Sequence, residues 1–391
     1  MPETARLLGT GALSPMRSSL PEVSNVAWSS VITGRDPGGH GIFGFTDWKP
    51  GSLDVRFPTF ADLRAEPLWA PFERAGRPVI VANVPATYPA PAVGGVLVAG
   101  FVAPRLEKAV FPPAWLPRLR KMGYEVDTDM RTGAEDPAGL LARLRASLEK
   151  REALFRDLAR EPWDLFFAVV TETDRLHHFL WDAGADPGHP LHQGFLDFYR
   201  AVDRAVAFAA GLAGPDDLLI LLSDHGFGPM RREVMTNRVL ERLGFARFNG
   251  PELKSIAPES VAVALDPGRI YVHARDRFPG SAVDPARRAE IAAEVGAALE
   301  RFEVDGVRPA ARVYRNAEAY HGPHAPRGPD LVVEGADGFD WKASLERPGP
   351  LEASRFTGRH TLRDAFLFVR GAGAPAAPTV ADVAGILELP R

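Results

Sequence analysis

The chain has 391 residues, more than one minimal core needs, and its apolar (46%) and charged (25%) fractions are those of an ordinary globular protein. A net charge of −4 leaves no electrostatic footprint for a nucleic-acid polymer, and no apolar run approaches the roughly 18 residues that span a membrane. With no cysteine there is no disulfide, thiolate metal site or cysteine nucleophile, so His and carboxylates are left as metal ligands. Met1-Pro2-Glu3 does not begin a signal peptide, and the expected location is cytoplasmic.

Residues 1–8 read as a helix. Ser24, after Pro21-Glu-Val, falls at or just before a second helix N-terminus. It could serve there as an ordinary N-cap. It could also be a nucleophile, because a helix start offers free N–H groups and a positive dipole end to a phosphate. Thr33-Gly34, Pro37 and His40-Gly41-Ile42 form a turn-rich exit from that helix, with His40 in a structural role. A strand over 79–84 follows. Residues 85–136, rich in Pro, Gly and aromatics such as Tyr88, Phe101, Phe111 and Trp115, read as a lid-like insertion.

Leucines at helical spacing predict an amphipathic helix over 137–160. After the apolar run 165–171, Asp174 and His178 stand four residues apart, on one face if the chain turns helical, and can grip the same ion. His177 points elsewhere and packs. A helix over 195–212 leads to the run 218–223, which reads as a buried parallel strand ending in Asp224, His225, Gly226 and Gly228. Neighbours on a strand face opposite ways, so Asp224 and His225 can share a site only if the strand ends there. Residues 244–328 read as a second insertion with its own strand (269–273) and helix (284–302). Strands over 330–334 and 365–370 and a closing helix over 379–389, with Thr379 near its N-cap, complete the chain. His360 precedes the last strand. Alternating strands and helices predict a single α/β domain over 1–391, with a mainly parallel central sheet and helices on both faces.

Taken in order, these residues resemble the type I phosphodiesterase/nucleotide pyrophosphatase branch of the alkaline phosphatase superfamily. That branch carries a Ser or Thr, a Trp four positions on, then Thr-Gly, Pro and His-Gly-Ile. Here these are Ser24, Trp28, Thr33-Gly34, Pro37 and His40-Gly41-Ile42. Asp174-x-x-x-His178, Ser223-Asp-His-Gly-Phe227 and Gly358-x-His360 match as well, with echoes in Asn83-Val-Pro-Ala-Thr-Tyr-Pro89 and Gly328-Pro-Asp330-Leu. Val26 and Trp28 stand where a sulfatase would carry Pro and Arg.

The resemblance implies an alkaline-phosphatase-like fold and two divalent metal ions, zinc most often, with manganese as the alternative. It implies one ion held by Asp174, His178 and His360, and another held by Asp224, His225 and the Ser24 oxygen. Ser24 would attack phosphorus in a small, nucleotide-like phosphoryl substrate and form a phosphoserine. The alternatives are a phosphomonoesterase, a mutase or transferase on the same fold, or a metal-deficient, non-catalytic protein. The last arises because family members begin with an apolar strand ending in an Asp that ligates the second metal. No strand-borne Asp precedes Ser24 here, and Glu3 and Glu22 are poor substitutes. The expectation is a start assigned too late; used as written, the chain binds metal weakly at Asp224/His225.

Overall fold

The computed structural model describes residues 1–278 and 280–387. Its centre is the strand Val79–Val84, whose residues are all buried. It pairs in parallel with Gly95–Ala99 on one edge and Leu165–Ala168 on the other, and Val110–Phe111 adds an antiparallel rim. The Val-Ile-Val-Ala run is the pattern of a strand covered on both faces. At the strand's carboxyl end Asn83 takes a left-handed φ of 61°. Its amide donates to the Val169 carbonyl (2.8 Å) and to Thr171 Oγ1 (3.0 Å), fastening this strand to the chain that enters the Asp174 helix.

A second group of strands shares the same core. Ala365–Arg370 pairs antiparallel with Leu219–Leu222 on one side and with Ala12–Met16 on the other. This corrects one expectation and adds a strand. The 218–223 run does not form a buried parallel strand: its pairing is antiparallel and the strand is half-buried. Ala12–Met16 was not foreseen, since Ala-Leu-Ser-Pro-Met has no β-branched residue and contains a proline, which only an edge strand tolerates. Among the described residues, Leu165–Ala168 and Leu219–Leu222 each pair along one edge only, and both remain half-buried although they lean on one apolar cluster.

Three helices, Pro137–Leu158, Glu172–Ala185 and His192–Leu212, pack together around a further apolar cluster. Leu140, Leu144 and Leu148 form a stripe at four-residue spacing against Leu176, Leu180, Phe198 and Val202. Asp136 caps the first helix, accepting from Gly139 N at 2.9 Å. The wholly buried Arg151–Glu172 pair, 2.8 Å apart, joins the first helix to the second. The helix Pro2–Leu8 docks on the third through Asp203, which accepts from the backbone of Glu3 and Thr4. Among the described residues no helix is long and apolar enough to cross a membrane.

A second apolar cluster lies around an antiparallel sheet of Ala262–Leu265, Arg269–Val272, Leu331–Gly335 and Ala310–Arg315, backed by the helix Arg288–Arg301. It also takes in Val234, Phe339 and Trp341, so this body draws on chain outside 244–328. The expected helix over 284–302 opens with a short 3-10 turn at Pro285–Arg287 before becoming α-helical. The closing segment is a 3-10 turn, Val380–Asp382, then Val383–Ile386, with the Asp382 carboxylate accepting from Thr379 N at 2.7 Å. Positions 388 and 389 of that expected helix lie outside the described residues.

Candidate active site

Ser24 is the first residue of the helix Ser24–Thr33, and the extended Val23 occupies the cap position without a side-chain bond. The serine hydroxyl is therefore free of capping duty. Its Oγ lies 3.1 Å from His225 Nε2. The helix is buried from Asn25 to Ile32, and Asn25 Nδ2 donates to the Gly44 carbonyl at 2.8 Å, pinning the exit loop beside the serine. Ile42 N donates to His40 Nδ1, so Nε2 carries the ring proton and donates to Ser30 Oγ at 3.0 Å. Burial pushes His40 down to about 3. That ring is a neutral brace between helix and loop.

Asp174 and His178 share one face of the helix Glu172–Ala185, which begins shortly after the Leu165–Ala168 strand. The other half of the site follows the carboxyl end of Leu219–Leu222. Because the strand ends there, Asp224 and His225 can turn to the same side. His360 arrives on a two-stranded ladder in which Gly358–Thr361 pairs with Gly226–Pro229, with His360 opposite Phe227. A side chain at position 358 would strike the His177 carbonyl, so only glycine lets this strand press against the helix. The His225 and His360 rings consequently stack with centroids 3.7 Å apart.

These elements converge on one oxygen. Asp174 Oδ1 lies 3.0 Å from His360 Nε2, 3.6 Å from His225 Nε2 and 3.7 Å from His178 Nε2. The ligand atoms of Asp174, His225 and His360 all fall within 4.8 Å of one another. Asp224 Oδ2 stands 3.4 Å from His225 Nε2, buried and without a hydrogen-bond partner. His177 lies apart, its Nε2 bonded to Tyr199 Oη at 2.8 Å and its ring packed against Phe195, Tyr199 and Phe227.

The ring tautomers decide what this cluster suits. Nδ1 of His178 meets the Gly358 carbonyl, Nδ1 of His225 the Gly226 carbonyl, and Nδ1 of His360 the Glu22 carbonyl. A carbonyl only accepts, so each Nδ1 carries the proton and each Nε2 presents a lone pair to the cluster. Burial, with His225 beside it, pushes His360 down to about 3, and burial lowers His178 too, so both rings are neutral at physiological pH. Burial would raise the Asp174 carboxyl, but His178, His360 and Arg175 outweigh it and hold the group well below its usual range. The Asp174 oxygen and the Nε2 atoms of the three rings crowd one point, where each ring turns a nitrogen that can ligate. The donor set of imidazole nitrogens and carboxylates fits a divalent metal such as zinc. Burial, helped by Asp174, raises Asp224 against the pull of His225. The unpartnered Oδ2 is also what a cation would relieve.

Sequence reasoning missed two participants. Arg175 donates to the second oxygen of Asp174, and Asp127, from the 85–136 segment, receives the rest of that guanidinium. Arg175 stood inside a quoted motif, but nothing local marks Asp127.

The α/β fold is alkaline-phosphatase-like, and the protein is a phosphoric ester hydrolase of that superfamily. The chain belongs to the type I phosphodiesterase/nucleotide pyrophosphatase family, whose profile matches residues 1–362. Among solved structures it is similar to phosphonoacetate hydrolase from Sinorhizobium meliloti 1021 in complex with phosphonoacetate, with a TM-score of 0.62 at 19% identity over 98% of this chain and 88% of that one. Murine ectonucleotide pyrophosphatase/phosphodiesterase 5 superposes with a TM-score of 0.54 at 15% identity over 99% and 88% of the two chains. Its human counterpart gives 0.54 at 14% identity over 100% and 91%. At such identities the likeness is one of fold. No curated protein matches the sequence.

Proposed function

We propose that the protein hydrolyses a phosphodiester or pyrophosphate bond of a small phosphoryl substrate, with Ser24 as nucleophile at a two-metal centre. The observation that carries this reading is the meeting of three Nε2 atoms on Asp174 Oδ1, with the Ser24 hydroxyl 3.1 Å from one of them. Asp174, His178 and His360 would hold one ion; Asp224, His225 and the Ser24 oxygen would hold the other. When bound, divalent zinc or manganese ions supply positive charge that favours the serine alkoxide and neutralises the phosphoryl oxygens.

Ser24 Oγ forms its bond to phosphorus as the bond from phosphorus to the leaving oxygen breaks. The resulting phosphoserine is then hydrolysed by water. The Asn25 N–H, in the open first turn of that helix, would be available to the charge that develops on the phosphoryl group. A relative of the same fold binds phosphonoacetate, and an inactive variant of the murine relative binds AMP, so phosphonates and nucleotides are the first substrates to try.

A second reading has its own observation. Asp224 Oδ2 is buried without a partner and its carboxyl is raised, as in a site short of a ligand. A hydrolase that binds one ion tightly and leaves the second place weak would look like this. Metal analysis together with rates on bis-p-nitrophenyl phosphate, p-nitrophenyl phosphate and phosphonoacetate separates the readings. Two ions and EDTA-sensitive diester hydrolysis support the enzyme; faster monoester hydrolysis makes it a monoesterase. One tight ion, with turnover that rises as further metal is added, supports the second reading.

A further inference from the structure

Asp174 has two carboxylate oxygens, and only one faces the histidines. The other is held. Arg175 Nη1 donates to Asp174 Oδ2 at 2.6 Å, while its Nε and Nη2 donate to Asp127 Oδ1 and Oδ2 at 3.0 and 2.8 Å. The guanidinium lies over the Phe101 ring, 4.1 Å from its centroid, and the Arg175 side chain is only 8% exposed. Asp127 is itself oriented, since Thr128 N donates to its Oδ1 at 3.0 Å. One fork therefore joins a candidate metal ligand to two separate stretches of the 85–136 segment, the turn after Gly95–Ala99 and the chain before Pro137–Leu158.

The energetics favour a firm joint. Charge-assisted, bidentate pairs are stronger and more directional than single contacts, and a guanidinium on an aromatic face gains further when water is excluded. A carboxylate with both oxygens free can rotate, or can take a cation through both atoms. With Oδ2 engaged, rotation about the Cβ–Cγ bond of Asp174 would break the Arg175 bond, so Oδ1 stays aimed at the three Nε2 atoms.

We propose that Arg175 is a positioning residue: clamped by Asp127 and Phe101, it holds Asp174 Oδ2 so that Oδ1 alone meets the divalent cation it would share with His178 and His360. This rests on the metal-centre reading given above. It makes metal affinity depend on the packing of the 85–136 segment, although that segment supplies no ligand.

The test is calorimetric zinc titration of the full chain after chelator stripping, for wild type, Asp127→Asn, Arg175→Lys and Arg175→Gln. The dissociation constant of the tighter ion should rise about 10-fold in Asp127→Asn and about 10- to 100-fold in Arg175→Gln, the usual range for partners that orient metal ligands. Arg175→Lys should fall between, because an ammonium reaches one carboxylate but cannot fork to two. Activity lost at limiting zinc should return at saturating zinc with KM for substrate unchanged, which a merely structural defect would not allow. Circular dichroism of the stripped variants reports folding, and if Arg175→Gln fails to fold, Asp127→Asn decides. Wild-type affinity in the folded variants overturns the proposal. A wild-type chain that binds no zinc overturns the metal-centre reading beneath it, and the proposal with it.

Discussion

Ser24 Oγ and His225 Nε2 lie 3.1 Å apart across 201 residues of sequence. The serine comes from a helix N-terminus and the histidine from the end of a strand, so the contact exists only once the helix Ser24–Thr33 has docked beside that strand. Because His225 Nδ1 faces the Gly226 carbonyl, the free electron pair on Nε2 points at the hydroxyl. The pair joins nucleophile to metal cluster.

Replacing Ser24 with Ala should remove the atom that bonds to phosphorus while leaving the ligand cluster intact. Turnover of a diester substrate is expected to fall by at least about 10³-fold, the scale seen when a nucleophile is removed. Metal content measured on the same preparation should stay at the wild-type level. Substantial activity in a metal-loaded variant would remove Ser24 from the mechanism.

Chelation should abolish hydrolysis, and zinc or manganese should restore it. Two binding steps of unequal affinity are expected in calorimetry, because Asp224 Oδ2 is unsupported whereas Asp174 Oδ2 is held by Arg175. Asp174→Asn should lose the tight step and Asp224→Asn the weak one. Saturating metal at about 100 times its dissociation constant should stabilise the fold by about 2.7 kcal/mol. Identical steps in both variants would contradict the division of ligands.

Gly358→Ala tests how His360 is delivered. The new methyl meets the His177 carbonyl, so strand Gly358–Thr361 must move away from the helix and carry His360 with it. A stability loss of about 1–3 kcal/mol is expected for such overpacking. Zinc affinity should weaken in the folded fraction. An alanine variant with unaltered affinity would show that the close approach does not position the imidazole.

His40 predicts an acid sensitivity that has nothing to do with catalysis. Burial depresses its folded pKa from 6.5 to about 3, so between those values the unfolded chain binds the proton and the folded one does not. Stability therefore rises with pH across that window. The contribution is fully present above pH 6.5 and is lost as pH falls below it, at up to about 1.4 kcal/mol per pH unit. Urea unfolding at pH 7.0 and 5.5 should show a smaller drop in His40→Asn than in wild type. An equal drop would mean that His40 charges in the folded state.

Much of the architecture is legible in local pattern. The Val79–Val84 strand is announced by its unbroken apolar run, and the Pro137–Leu158 helix by leucines at four-residue spacing after an Asp-Pro start. The four-residue step from Asp174 to His178 and the halt of the apolar run before Asp224 depend only on helix and strand geometry. The antiparallel pairing of Leu219–Leu222 was not legible, because its partner Ala365–Arg370 is distant in sequence and either direction buries the same side chains. Ala12–Met16 becomes a strand only through its register with that same partner.

The sequence by itself determined which groups were available for chemistry: a serine at a helix start, His and carboxylate ligands without cysteine, and glycines where strands end. Those are properties of residue type and short spacing, and they travel with the chain however it folds. Tertiary structure decided which groups meet. It stacked His360 on His225 through the Gly358 ladder, turned each Nδ1 to a carbonyl so that every Nε2 faces Asp174 Oδ1, and brought Asp127 to Arg175 across 48 residues. Convergence on one oxygen depends on long-range packing, and no local pattern encodes it.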